Sequence, residues 1–152
     1  MKSVNHTEAI ELAIPVEELF PLFSPEGEKL WVPGWDYQNV MGTLDLHEDY
    51  VFLTESHDHG SEEAIWVVKK YDPVRWLVEF YKIEPKEKVG VVRVRCRALQ
   101  ANLTEVEVRY KYVALSASGE AFVSIFTAAA YKKFIGEWQV LLAQYYESGA
   151  NN

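Results

Sequence analysis

The sequence is poor in cysteine and in positive charge, and each shortage excludes a class of protein. Cys96 is the only cysteine among 152 residues, so no disulfide can form within the chain, as is usual in a reducing compartment. Its alternating apolar neighbours predict a buried thiol. The 15 lysines and arginines against 23 acidic residues give a net charge of −8. Nucleic-acid binding needs concentrated positive charge, so we expect no nucleic-acid partner.

Long apolar runs are also missing. No stretch approaches the roughly 20 apolar residues that span a bilayer, and Glu8 and Glu11 interrupt the first fifteen residues, where a signal peptide would need a continuous apolar run. We therefore expect a soluble, cytoplasmic protein with no membrane span. The length and the 49% hydrophobic content predict a single domain, residues 1–152, around one core.

Familiar catalytic motifs are absent as well. The sequence contains no recognisable Ser-His-Asp or Cys-His arrangement, no GxGxxG and no phosphate-binding P-loop. The catalytic residues, and whether there is a reaction, therefore stay unknown, and no cofactor is indicated. Residues of metal-ligand type cluster only at Glu55 and His57-Asp58-His59, in a predicted hairpin turn without a fixed third ligand. We interpret this cluster as a solvated turn and predict no metal.

Paired carboxylates are the remaining candidates for acid–base chemistry. They occur at 17–18, 26/28 and 62–63, at the starts of predicted helices and strands. Capping, the helix dipole and solvation explain carboxylates at such positions, so we assign them no catalytic role.

What the chain does contain is alternation typical of strands. Residues 6–14 form the first predicted strand. Pro15 and Ser24-Pro25 then begin two short helices, and Pro33-Gly34 ends the second. Six further strands follow in an antiparallel meander, at 37–42, 50–57, 62–71, 76–83, 89–100 and 103–115. Residues 118–146 complete the order as one long helix.

The strand registers identify the buried face. A hairpin turning near Asn102 places Arg97 opposite Glu105 and Arg95 opposite Glu107 on one surface, with apolar residues on the other. Even-numbered residues are then buried throughout the sheet, with Trp66 beside Phe80 and Thr54 beside Trp66. A slip by one residue would bury several charges, at several kcal/mol for each one left unpaired.

The long helix carries apolar residues on two sides. We expect one face to pack on the sheet: Val123, Phe126, Ala130, Phe134, Trp138, Leu141 and Tyr145. A second stripe comprises Ala128, Tyr131, Ile135, Leu142 and Tyr146. Either the short helices cover this stripe, or it forms the interface of a homodimer.

Three segments resemble a known family. LFSPEGEKLWVPGWD (22–36), IWVVKKYDP (65–73) and FTAAAYKKFIGEW (126–138) are similar to uncharacterised bacterial members of the SRPBCC superfamily, the START-like and birch-pollen-allergen-like group. The resemblance implies an α+β helix-grip fold, in which a curved seven-stranded antiparallel sheet wraps around a long C-terminal helix, with two short helices after the first strand. It also implies an apolar cavity between sheet and helix, but no single function, because relatives include carriers, cyclases, chaperone activators and oxygenase domains.

Aromatic and polar residues at inward positions are the candidate ligand-binding set. They are Trp31, Trp35, Thr54, Trp66, Phe80, Tyr110, Tyr112, Phe122 and Phe126. The alternative is that these side chains simply fill the core, as dense packing favours. We predict that the protein binds a small or medium apolar ligand, aromatic or lipid-like. The alternatives are a cyclase/dehydratase-type enzyme using Tyr110 or Tyr112 as proton carriers, and a protein-interaction module of the chaperone-activator kind.

Overall fold

The computed structural model describes residues 2–55 and 63–150. One antiparallel sheet contains all seven strands of this part of the chain, in the order β1-β7-β6-β5-β4-β3-β2. This confirms the predicted architecture. The strands are β1 Ser3–Leu12, β2 Gln38–Asn39, β3 Val51–Glu55, β4 Glu63–Asp72, β5 Leu77–Glu84, β6 Lys88–Gln100 and β7 Leu103–Ala114.

Two short helices follow β1, as predicted. Helix α1 (Val16–Leu19) has Pro15 as its N-cap residue and continues into a 3₁₀ turn, and helix α2 spans Pro25–Glu28. The Ser24 hydroxyl accepts a hydrogen bond of 2.9 Å from the Gly27 backbone N–H. A serine cap followed by proline at the first helical position therefore begins α2, because proline has no N–H that would be left unpaired there.

The predicted parity is confirmed along β6 and β7, whereas in β5 the odd-numbered Leu77 and Glu79 are buried too. Buried residues alternate along β6 and β7, with Val92, Val94 and Cys96 on β6 and the even-numbered residues 104–114 on β7. On the outer surface Arg97 Nη2 lies 3.2 Å from Glu105 Oε1. Opposite charges meet outside and apolar side chains meet inside, which fixes the register of this hairpin.

Pairing in β3 to β5 differs from the prediction by two residues. Trp66 pairs with Lys82 and Val68 with Phe80, and the register shifts between Val68 and Lys70. Thr54 pairs with Ala64, not with Trp66. A two-residue shift preserves which face is buried, so alternation alone could not detect it. Strand β2 is also shorter than predicted, two residues instead of six.

The C-terminal helix is not continuous, contrary to the prediction. Helix α3 spans Ala117–Ile125 and helix α4 spans Ala128–Ala150. Phe126, between them, has a ψ of 64°. The Thr127 hydroxyl accepts a 3.1 Å hydrogen bond from the Ala130 N–H, and His6 Nε2 donates a 2.7 Å hydrogen bond to the Phe126 carbonyl. Both new helix ends therefore gain partners for backbone groups that the break leaves unpaired.

The side of α4 that is most deeply buried belongs to the second stripe, contrary to the prediction, although Trp138 of the first stripe is buried as well. Tyr131, Ile135 and Leu142 of the second stripe are buried, and the Tyr131 hydroxyl donates a hydrogen bond to the Val108 carbonyl of β7. Ala130, predicted to face the sheet, is exposed. The stripe that suggested a homodimer is thus covered within the chain. Among the described residues, no helix has the length and apolar character needed to cross a membrane.

Candidate functional site

The nine predicted ligand-binding residues fall into three groups. Trp35, Thr54 and Trp66 line one cleft, and Phe80 packs edge-on against Trp66 with ring centroids 5.9 Å apart. Trp31 is buried elsewhere, in contact with Phe23 and Trp138, and its indole N–H donates a 2.8 Å hydrogen bond to the Leu22 carbonyl. The remaining four form an aromatic cluster under α3: Tyr110, Tyr112, Phe122 and Phe126.

The cleft has a volume of about 200 Å³ and lies between the 32–36 loop and the inner face of β3, β4 and β5. Two tryptophans are among its ten lining residues, and the acidic ones, Asp36 and Glu55, are exposed. The lining residues are Val32, Pro33, Gly34, Trp35, Asp36, Thr54, Glu55, Ala64, Trp66 and Lys82.

The loop that forms the outer wall is shaped by its sequence. Gly34 has a φ of +72°, in the left-handed region that glycine enters without steric cost. This turn brings Trp35 back over the sheet, where its indole N–H donates a 2.9 Å hydrogen bond to the Pro25 carbonyl. The Pro33-Gly34 pair, which ends the helical segment, thereby also positions an aromatic wall.

The inner wall is Trp66, and its orientation is fixed on two sides. Its indole N–H donates a 2.9 Å hydrogen bond to the Thr54 hydroxyl, and Phe52 stacks on it at 5.5 Å and an interplanar angle of 9°. Trp35 meets it edge-to-face at 6.3 Å. Because the Trp66 N–H already has a partner, the ring offers a ligand mainly its apolar surface.

A charged side chain, that of Lys82, lies beside Trp66 in the cleft. Lys82 is on the inner face of β5, and its Nζ lies 5.4 Å from the centre of the Trp66 ring. Burial raises the pKa of Glu28 to about 8, although the nearby Lys82 ammonium acts in the opposite direction. Glu28 is enclosed by protein atoms yet keeps part of its surface accessible. Glu28 is not among the residues that line the cleft, but the Lys82 ammonium, which does line it, acts on the Glu28 carboxyl group.

Sequence reasoning missed both residues of this pair. Lys82 has the same parity as Phe80, so the alternation that placed Phe80 on the inner face also applies to Lys82. Glu28 lies in the first turn of α2, where the dipole and solvent explain a carboxylate. Burial nevertheless raises the pKa of this carboxyl group, and burial of a residue in the first turn of a short helix depends on the tertiary fold.

The aromatic cluster under α3 is packed rather than open. Tyr112 meets Phe122 edge-to-face at 5.3 Å, and Tyr110 meets Phe134 of α4 at 5.6 Å. We expected the cavity between the sheet and the C-terminal helix; along this part of the interface the described rings contact one another. The predicted proton carriers Tyr110 and Tyr112 lie in this cluster and do not line the cleft.

Two other surfaces are less enclosed. A recess of about 300 Å³ adjoins the cleft on the outer side of β3, where Leu53 and Tyr37 line it. A shallow apolar surface on α4 involves Val140 and Leu141 and has no wall from another element. Nothing in the structure shows what covers it, so a protein-interaction role stays a prediction.

Metal binding cannot be assigned within the described part of the chain. His57, Asp58 and His59 lie outside the described residues, and residues 2–55 and 63–150 contain no cluster of three histidine, cysteine, aspartate or glutamate side chains suited to a metal ion.

Solved structures of similar fold cover nearly the whole chain. Norcoclaurine synthase from Thalictrum flavum, in complex with dopamine and hydroxybenzaldehyde, is 11% identical over 94% of this chain and 88% of that chain, with a TM-score of 0.66. The ZhuI aromatase/cyclase from Streptomyces sp. R1128 is 14% identical over 99% and 90%, with a TM-score of 0.57. Ara h 8.0201 is 10% identical over 99% and 100%, with a TM-score of 0.68.

These likenesses show that the chain has the Bet v 1-like helix-grip fold. No protein-family model matches the sequence, and no curated protein is similar to it in sequence. At such low identity the neighbours establish the fold and leave the function to the residues of the site.

Proposed function

We propose that this protein is a member of the SRPBCC superfamily that binds a one-ring aromatic small molecule in the cleft that Trp35 and Trp66 line. The observation that carries the proposal is the cleft itself: two tryptophan walls enclosing about 200 Å³, with the Thr54 hydroxyl and the Lys82 ammonium beside them. Apolar walls with a few fixed polar groups are the usual composition of small-molecule sites.

The volume decides the size of the ligand. A cavity of roughly 150 Å³ is enough to hold benzene, whereas sites for drug-sized ligands occupy roughly 300–1,000 Å³. A cleft of about 200 Å³ therefore suits one substituted ring and is too small for a lipid chain or a fused polyketide. The fold neighbour norcoclaurine synthase, crystallised with dopamine and hydroxybenzaldehyde, supports the same size class.

Affinity should be modest, because few atoms make contact. A ligand of about eight non-hydrogen atoms at roughly 0.5–0.7 kcal/mol per atom gives about 4–5.5 kcal/mol, or a Kd on the order of 0.1–1 mM. Isothermal titration calorimetry at high ligand concentration, or NMR titration, can detect such binding.

The test compares ligand sizes and two tryptophan variants. Benzyl alcohol should bind, and naphthalenemethanol and an eight-carbon fatty acid should bind at least about tenfold more weakly, because they exceed the cleft. Trp35→Ala removes a wall and should weaken benzyl alcohol about tenfold or more. Trp76 is also half-buried and packs on Phe20, away from the cleft, so Trp76→Ala is the matched control. Equal binding of the larger ligands, or equal losses in both variants, would contradict the proposal.

A cyclase- or dehydratase-type enzyme acting in the same cleft is the second candidate. One observation favours it: the pKa of Glu28 is raised to about 8, so this carboxyl group can exchange a proton near neutral pH. Any compound that binds should be incubated with the protein and followed by NMR for conversion. Conversion that is lost in Glu28→Gln would support the enzyme, and full conversion in that variant would exclude Glu28 as its acid or base.

A further inference from the structure

The outer face of the sheet carries a row of charged side chains. Glu79 of β5 is paired with Arg93 of β6, and Arg93 is paired with Arg109 of β7. Side chains at paired positions share a face of the sheet, with their Cβ atoms roughly 4.5–5.5 Å apart. Arg93 and Arg109 therefore stand side by side, and like charges in direct opposition destabilise a sheet unless an anion compensates them.

Glu79 does not compensate both arginines. It is 8% exposed, and its Oε1 lies 3.0 Å from Lys69 Nζ, whereas its Oε2 lies 3.9 Å from Arg109 Nη2. The carboxylate is thus committed to Lys69 and, at longer range, to Arg109. Arg93 makes no ion pair with any acidic residue in the described parts of the chain.

Hydrogen bonding leaves the two arginines incomplete as well. Within residues 2–55 and 63–150, the Nε atoms of Arg93 and Arg109 are buried and have no hydrogen-bond partner. A guanidinium group has five N–H donors, and a buried donor without a partner calls for an explanation such as a bound ion or water. Both side chains keep part of their surface accessible. A ligand arriving from solvent would therefore meet their Nη groups, because the Nε atoms are enclosed.

The surroundings of the two arginines add further positive charge. Lys111 follows Arg109 by two residues on β7, so it faces the same side of the sheet, and it is exposed. Arg95, on β6, is paired with Glu107, and these two charges offset each other. The patch that is left contains four cations and one carboxylate, which are Lys69, Arg93, Arg109, Lys111 and Glu79. In a chain with a net charge of −8, this local excess of positive charge favours an anion.

We propose that Arg93 and Arg109 bind a phosphate group, either free or carried by a small molecule. The planar fork of guanidinium N–H groups matches two phosphate oxygens, and such bidentate contacts are among the strong hydrogen bonds of proteins. A phosphate group carries a charge of about −1.5 to −2 at neutral pH and several acceptor oxygens, so it can contact both arginines and compensate both charges. The site lies on the opposite face of the sheet from the cleft, so it does not depend on the proposed function.

Titration of the ¹⁵N-labelled protein with inorganic phosphate, followed by NMR at about pH 7.5 and constant ionic strength, tests the inference. Two or three charge-assisted hydrogen bonds at a solvent-accessible site predict a Kd of about 1 mM, with saturable shifts on β6 and β7 around Arg93 and Arg109. Acetate, with a single negative charge, should bind at least about tenfold more weakly. Glycerol phosphate distinguishes the two sources: tighter binding of this ester than of inorganic phosphate supports a small-molecule ligand, and the reverse order supports the free ion.

Two arginine variants locate the site. Arg93→Gln should weaken phosphate binding about tenfold or more, because it removes one of the two guanidinium groups. Arg97→Gln is the matched control on the same strand. Arg97 has its own partner, with Nη2 3.2 Å from Glu105 Oε1, so its loss should change the phosphate affinity less than about twofold.

Three results would overturn the inference. They are shifts that chloride reproduces at the same ionic strength, an unchanged affinity in Arg93→Gln, and equal losses in Arg93→Gln and Arg97→Gln. None of them bears on the aromatic cleft, which lies on the other face of the sheet.

Discussion

A buried ion pair lies at the turn between β5 and β6. Lys88 and Glu84 are fully buried, with Lys88 Nζ 3.0 Å from Glu84 Oε2 and 3.5 Å from Glu87 Oε1. Lys88 Nζ also lies 4.0 Å from the centre of the Phe122 ring of α3. Among the described residues, neither carboxylate oxygen of Glu84 has a hydrogen-bond partner of good geometry. The lysine charge is therefore the main compensation for this carboxylate.

Replacing Lys88 by methionine tests how much that compensation contributes. The variant keeps an unbranched side chain but leaves the Glu84 carboxylate buried without a cation, and such a change typically costs about 3–5 kcal/mol. Urea denaturation, monitored by circular dichroism, measures the loss of unfolding free energy. An unchanged dependence of that free energy on urea concentration shows that the variant exposes the same surface on unfolding.

The double variant Glu84→Met with Lys88→Met is the control. Replacing a whole buried ion pair by apolar residues of similar size is often neutral or stabilising, so the double variant should regain most of the loss. A single variant that costs less than about 1 kcal/mol, or a double variant no more stable than the single one, would refute this account of the pair.

Four further predictions concern packing and burial. Gly119→Ala should lose about 1–3 kcal/mol in urea denaturation, because a Cβ would lie 2.0 Å from the Glu87 carbonyl oxygen. Gly136→Ala, with open space around it, should instead gain up to about 1 kcal/mol of helix propensity. Trp138→Ala should cost about 3–5 kcal/mol, since its ring contacts residues of the sheet and of the short-helix segment. Burial raises the pKa of Cys96 to about 12, so a thiol reagent at about pH 8 should label it only after unfolding.

Most of the sheet could be predicted because charge and alternation agree along β6 and β7. Arg97 lies opposite Glu105 on the outer surface, and a slip by one residue would bury charges. The pairing of Trp66 with Lys82, two residues away from the predicted partner Phe80, could not be detected, since a two-residue shift leaves the same face buried. Local sequence signals were therefore sufficient to predict which face of the sheet is buried, but insufficient to predict which residues pair across β3, β4 and β5.

The break between α3 and α4 shows where local information ends. Residues 118–146 contain no proline and keep a helical period, so a continuous helix is the natural prediction. Two hydrogen bonds satisfy backbone groups that the break leaves without helical partners. His6, on β1, donates one to the Phe126 carbonyl, and the Thr127 hydroxyl, at the start of α4, accepts the other from the Ala130 N–H. The first of these contacts joins residues 120 positions apart in the chain, and no local pattern contains it.

Part of the candidate site could likewise be predicted from the sequence, and part of it depends on tertiary contacts. Trp35, Thr54 and Trp66 were predicted ligand-binding residues and lie together at the cleft, because inward parity and aromatic character are both readable from the sequence. The enclosure of Glu28 beside Lys82 depends on how α2 packs over the sheet. Whether these residues bind a ligand stays a prediction.

The most direct test of the aromatic site uses the five tryptophans as reporters. Benzyl alcohol is titrated into ¹⁵N-labelled protein at about pH 7 while the indole N–H resonances are followed by NMR. The account predicts that the signals of Trp35 and Trp66 shift in a saturable way, while that of Trp31, hydrogen-bonded to the Leu22 carbonyl in the core, does not. Saturable shifts confined to other tryptophans, or none at all, would contradict it.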